Sequence, residues 1–202
     1  MTTRDNLSEM INSSQALILL KEGNRRYVLG ESQGLIATPE MRSHLIEYGQ
    51  VPFAIILGCS DSRVPPEIIF DVGIGQIFVV RTAGNTVDSL AIGSVEFAAE
   101  YFHVPLVVVL GHQYCGAVLA TVSGEDYAHN IRTVIDAVQF SENTLYGEGK
   151  EHDLRLYENE NIRNTVSMLD GSSILKKHVL NGSLKIIGAK YELDTGEVHF
   201  WE

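Results

Sequence analysis

Two short segments hold the side chains best suited to chemistry. One reads Gly58-Cys-Ser-Asp-Ser-Arg63, the other Gly111-His-Gln-Tyr-Cys-Gly116, and together they contain both cysteines of the chain. His112 and Cys115 are three residues apart, so a helix starting there would put both on one face, able to hold one ion. A helix N-terminus would also favour thiolate over thiol. Cys59 would then complete a Cys2His set. Zinc accepts that set and keeps its fourth tetrahedral position for water or substrate. A purely structural zinc site would want a fourth Cys or His, and none lies within a few residues of either segment. Asp61 and Arg63 alternate with Cys59, which sets a carboxylate and a fixed cation within reach of a metal-bound water. The carboxylate could also take the metal's open position itself.

Each residue has a plainer reading when taken alone. A cysteine at a strand end is usually a small buried hydrophobe, and a histidine there is usually a surface or cap residue. Asp61 and Arg63 could be a surface ion pair worth little. A Cys59–Cys115 disulfide is the main structural rival, and a reducing compartment counts against it. The case for a metal rests on the combination: every cysteine is used, each follows a glycine-flanked strand end, and one has a histidine at ligand spacing.

The elements that must position these residues follow from hydrophobic patterning. Pro52–Leu57, Ile77–Val80 and Leu106–Leu110 are continuous apolar runs, and Lys185–Gly188 is a weaker fourth. Runs that do not alternate suit strands buried on both faces, as in a parallel sheet. Ser89–Phe102 lies between the second and third runs with helical apolar spacing, giving a strand–helix–strand unit. Ligands in such sheets bind beyond the carboxyl ends of the strands, where both segments fall.

Residues 7–29 predict an N-terminal helix, and Thr38-Pro39 predicts the start of a second, with Pro at the first helical position. Residues 116–139 predict helix broken around Gly124. Residues 141–150 predict a surface loop, and Asn159–Asp170 and Ser172–Leu180 predict two further helices. The tail, Tyr191 to Phe200, has a turn at Asp194–Gly196 and predicts a hairpin that adds an antiparallel edge strand. The expected fold is α/β: an open, mostly parallel central sheet flanked by helices, forming one domain over 1–202 with a helical N-terminal arm over 1–49.

Composition narrows the partners. The chain has 202 residues, 45% of them hydrophobic, which suffices for a sizeable core. Fifteen Lys and Arg against 26 Asp and Glu give a net charge of −11. That balance argues against phosphate-backbone binding, which relies on Lys and Arg, and against anionic membrane surfaces. The N-terminus lacks an apolar signal segment and no apolar run is long enough to span a bilayer, so the expected location is cytoplasmic. Asp71-Val-Gly-Ile-Gly-Gln76 hints at a nucleotide loop. It fails the dinucleotide fingerprint, because position 78 is Phe and the segment precedes a strand.

Cys59-Ser-Asp-Ser-Arg-Val-Pro-Pro-Glu67, Phe78-Val-Val-Arg-Thr-Ala-Gly-Asn85 and Gly111-His-Gln-Tyr-Cys-Gly-Ala117 together resemble the β-class carbonic anhydrases, in their plant-like, open-site branch. The resemblance runs from about Leu20, through Gly-Asn-Arg-Arg-Tyr27, to the Tyr191–Val198 tail. It implies one zinc per chain, held by Cys59, His112 and Cys115, and reversible hydration of carbon dioxide to bicarbonate by zinc-bound hydroxide. It implies Asp61 and Arg63 as the dyad that orients the hydroxide. Gln50 matches a substrate-binding glutamine and Phe78 an apolar pocket residue; Ala83, Val87 and Phe97 would complete an apolar pocket. The resemblance further implies a homodimer or homotetramer, with active sites at a dimer interface and N-terminal helices packed on the neighbouring subunit.

Three positions depart from the family pattern. Phe97 stands where that branch often has Tyr, which removes one hydroxyl from a proposed proton relay. Ile56 stands where the bicarbonate-regulated branch has Trp, so the expectation is an open site near neutral pH without cooperative bicarbonate inhibition. Tyr114 is a bulky residue directly before Cys115. Two other functions fit the same metal site: hydrolysis of carbonyl sulfide or carbon disulfide, and non-enzymatic sensing of bicarbonate. An intact Asp61–Arg63 pair disfavours the sensor, which needs no base.

Overall fold

The computed structural model describes residues 11–34, 37–140 and 153–201. Five strands form one sheet in the order β2-β1-β3-β4-β5: β1 (Ala54–Cys59), β2 (Ile77–Thr82), β3 (Leu106–His112), β4 (Lys185–Tyr191) and β5 (Val198–Trp201). The first four pair in parallel and β5 pairs antiparallel to β4. This matches the predicted sheet, including the hairpin at the tail.

The apolar runs have the expected cause. Every residue of β1 and β3 is buried. Ile56, Val108 and Leu110 point into one core, and Ile55, Leu57, Val107 and Val109 into a second on the opposite face. Each fully buried Val, Leu or Ile contributes about 1.5–3 kcal/mol, so both faces select apolar residues. β2 lies at the edge and is only partly buried.

The first core is closed by α1 (Ser13–Val28). Asn12 caps it by accepting from the N–H groups of Ser14 and Gln15, and the Gln15 side chain accepts from the Asn12 N–H in return. That reciprocal cap starts the described helix at Ser13 instead of residue 7; residues 7–10 lie outside the described residues. Ala16, Leu17 and Leu20 are buried in this chain's own core, while Ile18 and Leu19 are exposed. Gly23 lets the helix approach closely, since a Cβ there would lie 1.8 Å from the Phe70 carbonyl oxygen. Buried Asn24 then ties the helix to the β4–β5 turn, donating to the Gly196 carbonyl (2.9 Å) and accepting from the Val198 N–H (2.9 Å).

α2 (Pro39–Tyr48) starts as expected, with Thr38 capping and Pro39 at the first helical position. A short α3 (Pro66–Ile69), not foreseen, follows β1. α4 (Ser89–Phe102) carries the crossover from β2 to β3, capped by Asp88. The predicted helical stretch over 116–139 is two helices, α5 (Gly116–Ser123) and α6 (His129–Ala137). α5 stops at Gly124, whose left-handed backbone ends it. α7 (Leu154–Asp170) starts five residues earlier than predicted because Asp153 caps it, and Ser172 caps α8 (Ser173–Leu180) instead of belonging to it. The predicted loop at 141–150 lies outside the described residues. Among the described residues, no helix is long and apolar enough to cross a membrane.

Candidate metal centre

β1 has β2 on one side and β3 on the other, so the chain reverses direction across the sheet at β1. In open α/β sheets the crevice at such a reversal is where ligands bind. Cys59 is the last residue of β1 and His112 the last of β3, so the two stand on either side of that crevice. Cys115 arrives differently from the expectation. It is not inside a helix shared with His112 but is the N-cap residue of α5. The turn between them puts Tyr114 in the left-handed region at φ 56°, and this turn folds Cys115 back toward His112. Tyr114 spends its bulk in solvent, with the residue 59% exposed, and its carbonyl accepts from Arg63 Nη2 at 3.3 Å.

The ligand atoms of Cys59, His112 and Cys115 lie within 4.8 Å of one another, and all three residues are buried. Both cysteines are free thiols, which removes the disulfide reading. His112 Nδ1 lies 2.9 Å from the Gln113 carbonyl oxygen. A proton donated there leaves Nε2 as the lone-pair nitrogen, the usual arrangement for a metal-binding imidazole. Nε2 is buried and has no hydrogen-bond partner among the described residues. An orphaned imidazole nitrogen aimed at two sulfurs is costly unless something binds it. The donor set therefore fits zinc.

The thiols ionise as a pair. A hydrogen bond from Cys115 lowers the Cys59 thiol's pKa against the cost of burial, helped by nearby His112 and by the N–H groups of Asp61 (3.4 Å) and Gly84 (3.3 Å). Cys115 is pushed up by the same hydrogen bond and then by burial. Metal binding needs both thiols as thiolates, and a dication's charge draws off their protons. Gly84 must be glycine: its φ is +72°, and a Cβ would crowd Ala117 at 3.0 Å.

Asp61 is held by Arg63. Its Oδ1 accepts from the Arg63 backbone N–H (2.9 Å) and from Nε (3.0 Å), and its Oδ2 accepts from Nη2 (2.7 Å). The Arg63 side chain holds the Asp61 carboxyl down at about 2, against some desolvation. Oδ2 lies 4.0 Å from His112 Nε2, so the carboxylate stands beside the metal position. Arg81 fixes the turn beneath it, donating to the carbonyls of Cys59 (2.9 Å) and Asp61 (2.7 Å).

The expected pocket residues are spread more widely. Ala83 adjoins Gly84 and so borders the site. Val87 is buried in the second core. Phe78 pairs with Ile55, four residues behind the Cys59–Thr82 pair, which places it about 13 Å back along the strand. Its ring packs on Phe102 (6.1 Å between centroids), and Phe97 joins the same cluster, stacked on Tyr101 (5.1 Å). Gln50 precedes the opposite end of β1 from Cys59.

Sequence reasoning missed what α7 does. Glu158, Asn161 and Thr165 line its buried side under the metal loops. Glu158 accepts from the Cys115 N–H (3.4 Å), Asn161 donates to the Gly84 carbonyl (2.7 Å), and Thr165 donates to the Asn85 carbonyl (3.2 Å). Their i, i+3, i+7 spacing was available in the sequence, but polar residues at that spacing read equally well as a solvated helix face.

Comparison with known proteins agrees with this geometry. The carbonic anhydrase family profile matches residues 54–198. Carbonic anhydrase 2 of Mycobacterium tuberculosis is 42% identical over 182 residues, covering 88% of this chain and 87% of that one. The crystal structure of the β-carbonic anhydrase CafA of the fungal pathogen Aspergillus fumigatus superposes with a TM-score of 0.71 at 26% identity, covering 94% of this chain and 90% of that one. Tetrameric β-carbonic anhydrases from Sordaria macrospora share the fold, with a TM-score of 0.70 at 22% identity over 93% of this chain and 97% of theirs. The matched span contains the whole Cys59, His112 and Cys115 group, and with it the chain belongs to the β class of the carbonic anhydrase family.

Proposed function

We propose that the chain catalyses the reversible hydration of carbon dioxide to bicarbonate and a proton. The observation that carries this reading is the Cys59–His112–Cys115 group, with its orphaned Nε2, beside a carboxylate that Arg63 holds ready. Zinc bound there supplies a coordinated water of lowered pKa, for which carbonic anhydrase is itself the standard example. Asp61, ionised throughout the neutral range, accepts a hydrogen bond from the attacking water and orients its lone pair toward carbon dioxide. Arg63 keeps Asp61 off the metal position, which makes this an open site. Two free, clustered thiols suit a reducing, cytoplasmic setting.

Gln50, Phe78 and Phe97 serve substrate in this reading only as part of an assembly, because the fold sets each of them away from this chain's own metal ligands. Leu90, Phe97 and Tyr101 recur at helical spacing along α4 and are 79%, 52% and 62% exposed, an apolar face suited to a second copy of the chain. The homodimer or homotetramer is expected to show as the mass by light scattering at micromolar concentration. Phe97→Asp is expected to dissociate it and abolish activity together. A fully active wild-type monomer would refute the shared pocket.

The function is tested by a carbon dioxide hydration assay on zinc-loaded and chelator-treated protein, run beside carbonyl sulfide and carbon disulfide. Zinc-dependent turnover of carbon dioxide is expected. Turnover of the sulfur compounds alone would reassign the substrate, and bicarbonate binding without any turnover would make the protein a sensor.

A further inference from the structure

On the far side of Glu158 from Cys115 lies a cavity of about 280 Å³. α7 contributes Arg155, Asn159 and Arg163, each four residues from the next and so on one face. The sheet contributes Lys190 and His199, which are direct cross-strand partners, and Trp201, two residues further along the same face of β5, and Glu192 after β4 adds one carboxylate to the lining. Gly188 makes room for the indole, since a Cβ there would lie 2.7 Å from the Trp201 ring.

The cavity's cations are incompletely matched. The Lys190 side chain is 6% exposed, yet its ammonium has one close carboxylate, Glu158 at 2.8 Å, with Glu192 beyond hydrogen-bond range at 3.6 Å. An ammonium carries three donors, and a buried charge is costly unless they are met. Arg155 makes no ion pair among the described residues. Arg163 lies over the Trp201 ring at 5.2 Å and reaches one carboxylate, Glu160, only at 3.9 Å. A guanidinium stacked on an aromatic face keeps its planar donor edge available. Asn159 Oδ1 is buried with no hydrogen-bond partner, and an amide flip would present its donors instead. Three of the fifteen basic residues of a strongly acidic chain thus converge on one open depression, against one lining carboxylate, Glu192.

We propose that this cavity binds a small carboxylate-type oxyanion. Two oxygens on one planar carbon match the arginine fork, a single negative charge matches Arg155 and Arg163, which lack a close carboxylate among the described residues, and the Trp201 ring supplies a wall for a short carbon body. The volume falls just short of the roughly 300–1,000 Å³ of drug-sized pockets, so the occupant is a small molecule. Bicarbonate and a short organic carboxylate share this chemistry. The site uses none of the metal ligands and stands whether or not the proposed reaction is right.

Trp201 is the chain's one tryptophan, so its fluorescence reports this cavity alone. Zinc-loaded full-length protein would be titrated with sodium acetate and, separately, sodium bicarbonate, with chloride holding ionic strength constant. A saturable fluorescence change in the millimolar range is expected from at least one of them, and the arm that saturates first identifies the source. Arg155 is exposed, so Arg155→Gln should fold normally and is expected to raise the midpoint about tenfold or more, whereas an anion bound at the zinc would be unaffected. A linear response equal to that of chloride, or an unchanged midpoint in Arg155→Gln, would overturn the proposal.

Discussion

Cys115→Ser is expected to lose bound zinc and carbon dioxide hydration together. Cys115 is 1% exposed, so the replacement hydroxyl sits where the thiol did, without reaching solvent. A serine hydroxyl stays neutral at pH 7 and gives the metal neither the charge nor the softness of a thiolate. Only Cys59 and His112 would remain. Loss of an outer-shell partner typically costs about 10- to 100-fold in metal affinity, and loss of a direct ligand should exceed that. The fold should survive, because Val118, Val138 and Tyr157 still fill the small core around residue 115. Elemental analysis of folded variant, checked by circular dichroism, reads the outcome. Full zinc occupancy in that sample would sink the ligand assignment, whatever its activity.

For Asp61→Asn the expected result is a split between metal and turnover. Zinc should stay bound, while kcat falls by about 10²-fold or more, the lower range for a positioned acid–base group. The amide keeps the shape of the carboxylate but turns one acceptor into a donor, which then faces the Arg63 guanidinium. Arg63 would no longer hold the side chain in place, and the attacking water would lose its acceptor. The rival view makes Asp61 and Arg63 an ordinary surface ion pair that ties down the end of β1. The Arg63 side chain is 53% exposed, so such a pair stabilises the fold very little. On that view the variant keeps most of its activity, and near wild-type turnover would end the catalytic role. A crystal structure at about pH 7 to 8 with Asp61 coordinated to the metal would contradict the open site instead.

Much of the architecture was legible in the sequence because its cause is local. β1 and β3 are apolar at every position since both faces of each strand meet a core, and hydrophobic runs record that directly. Cys59 and His112 could be placed at strand ends because strand boundaries follow from the same runs. Helix caps such as Thr38 and the stop at Gly124 depend on neighbours within a turn, so they too could be read. The start of α7 could have been, had Asp153 been taken as a cap.

The tertiary structure decided the rest, because it depends on pairs of residues far apart in the chain. His112 and Cys115 meet through a left-handed turn at Tyr114, a backbone choice that nothing in the type of residue 114 announces. Asn161 reaches the Gly84 carbonyl across 77 positions, and Glu158 reaches the Cys115 N–H across 43. A glutamate buried beside Lys190 and one on a solvated face look the same in a helical pattern, since the pattern registers which residues avoid water and not which polar groups find each other. Phe78 and Phe97 show the same limit from the apolar side. Their types marked them for burial, but the register of β2 for Phe78 and the packing of α4 for Phe97 carried them to an aromatic cluster away from this chain's own ligands, and only the folded chain fixes that distance.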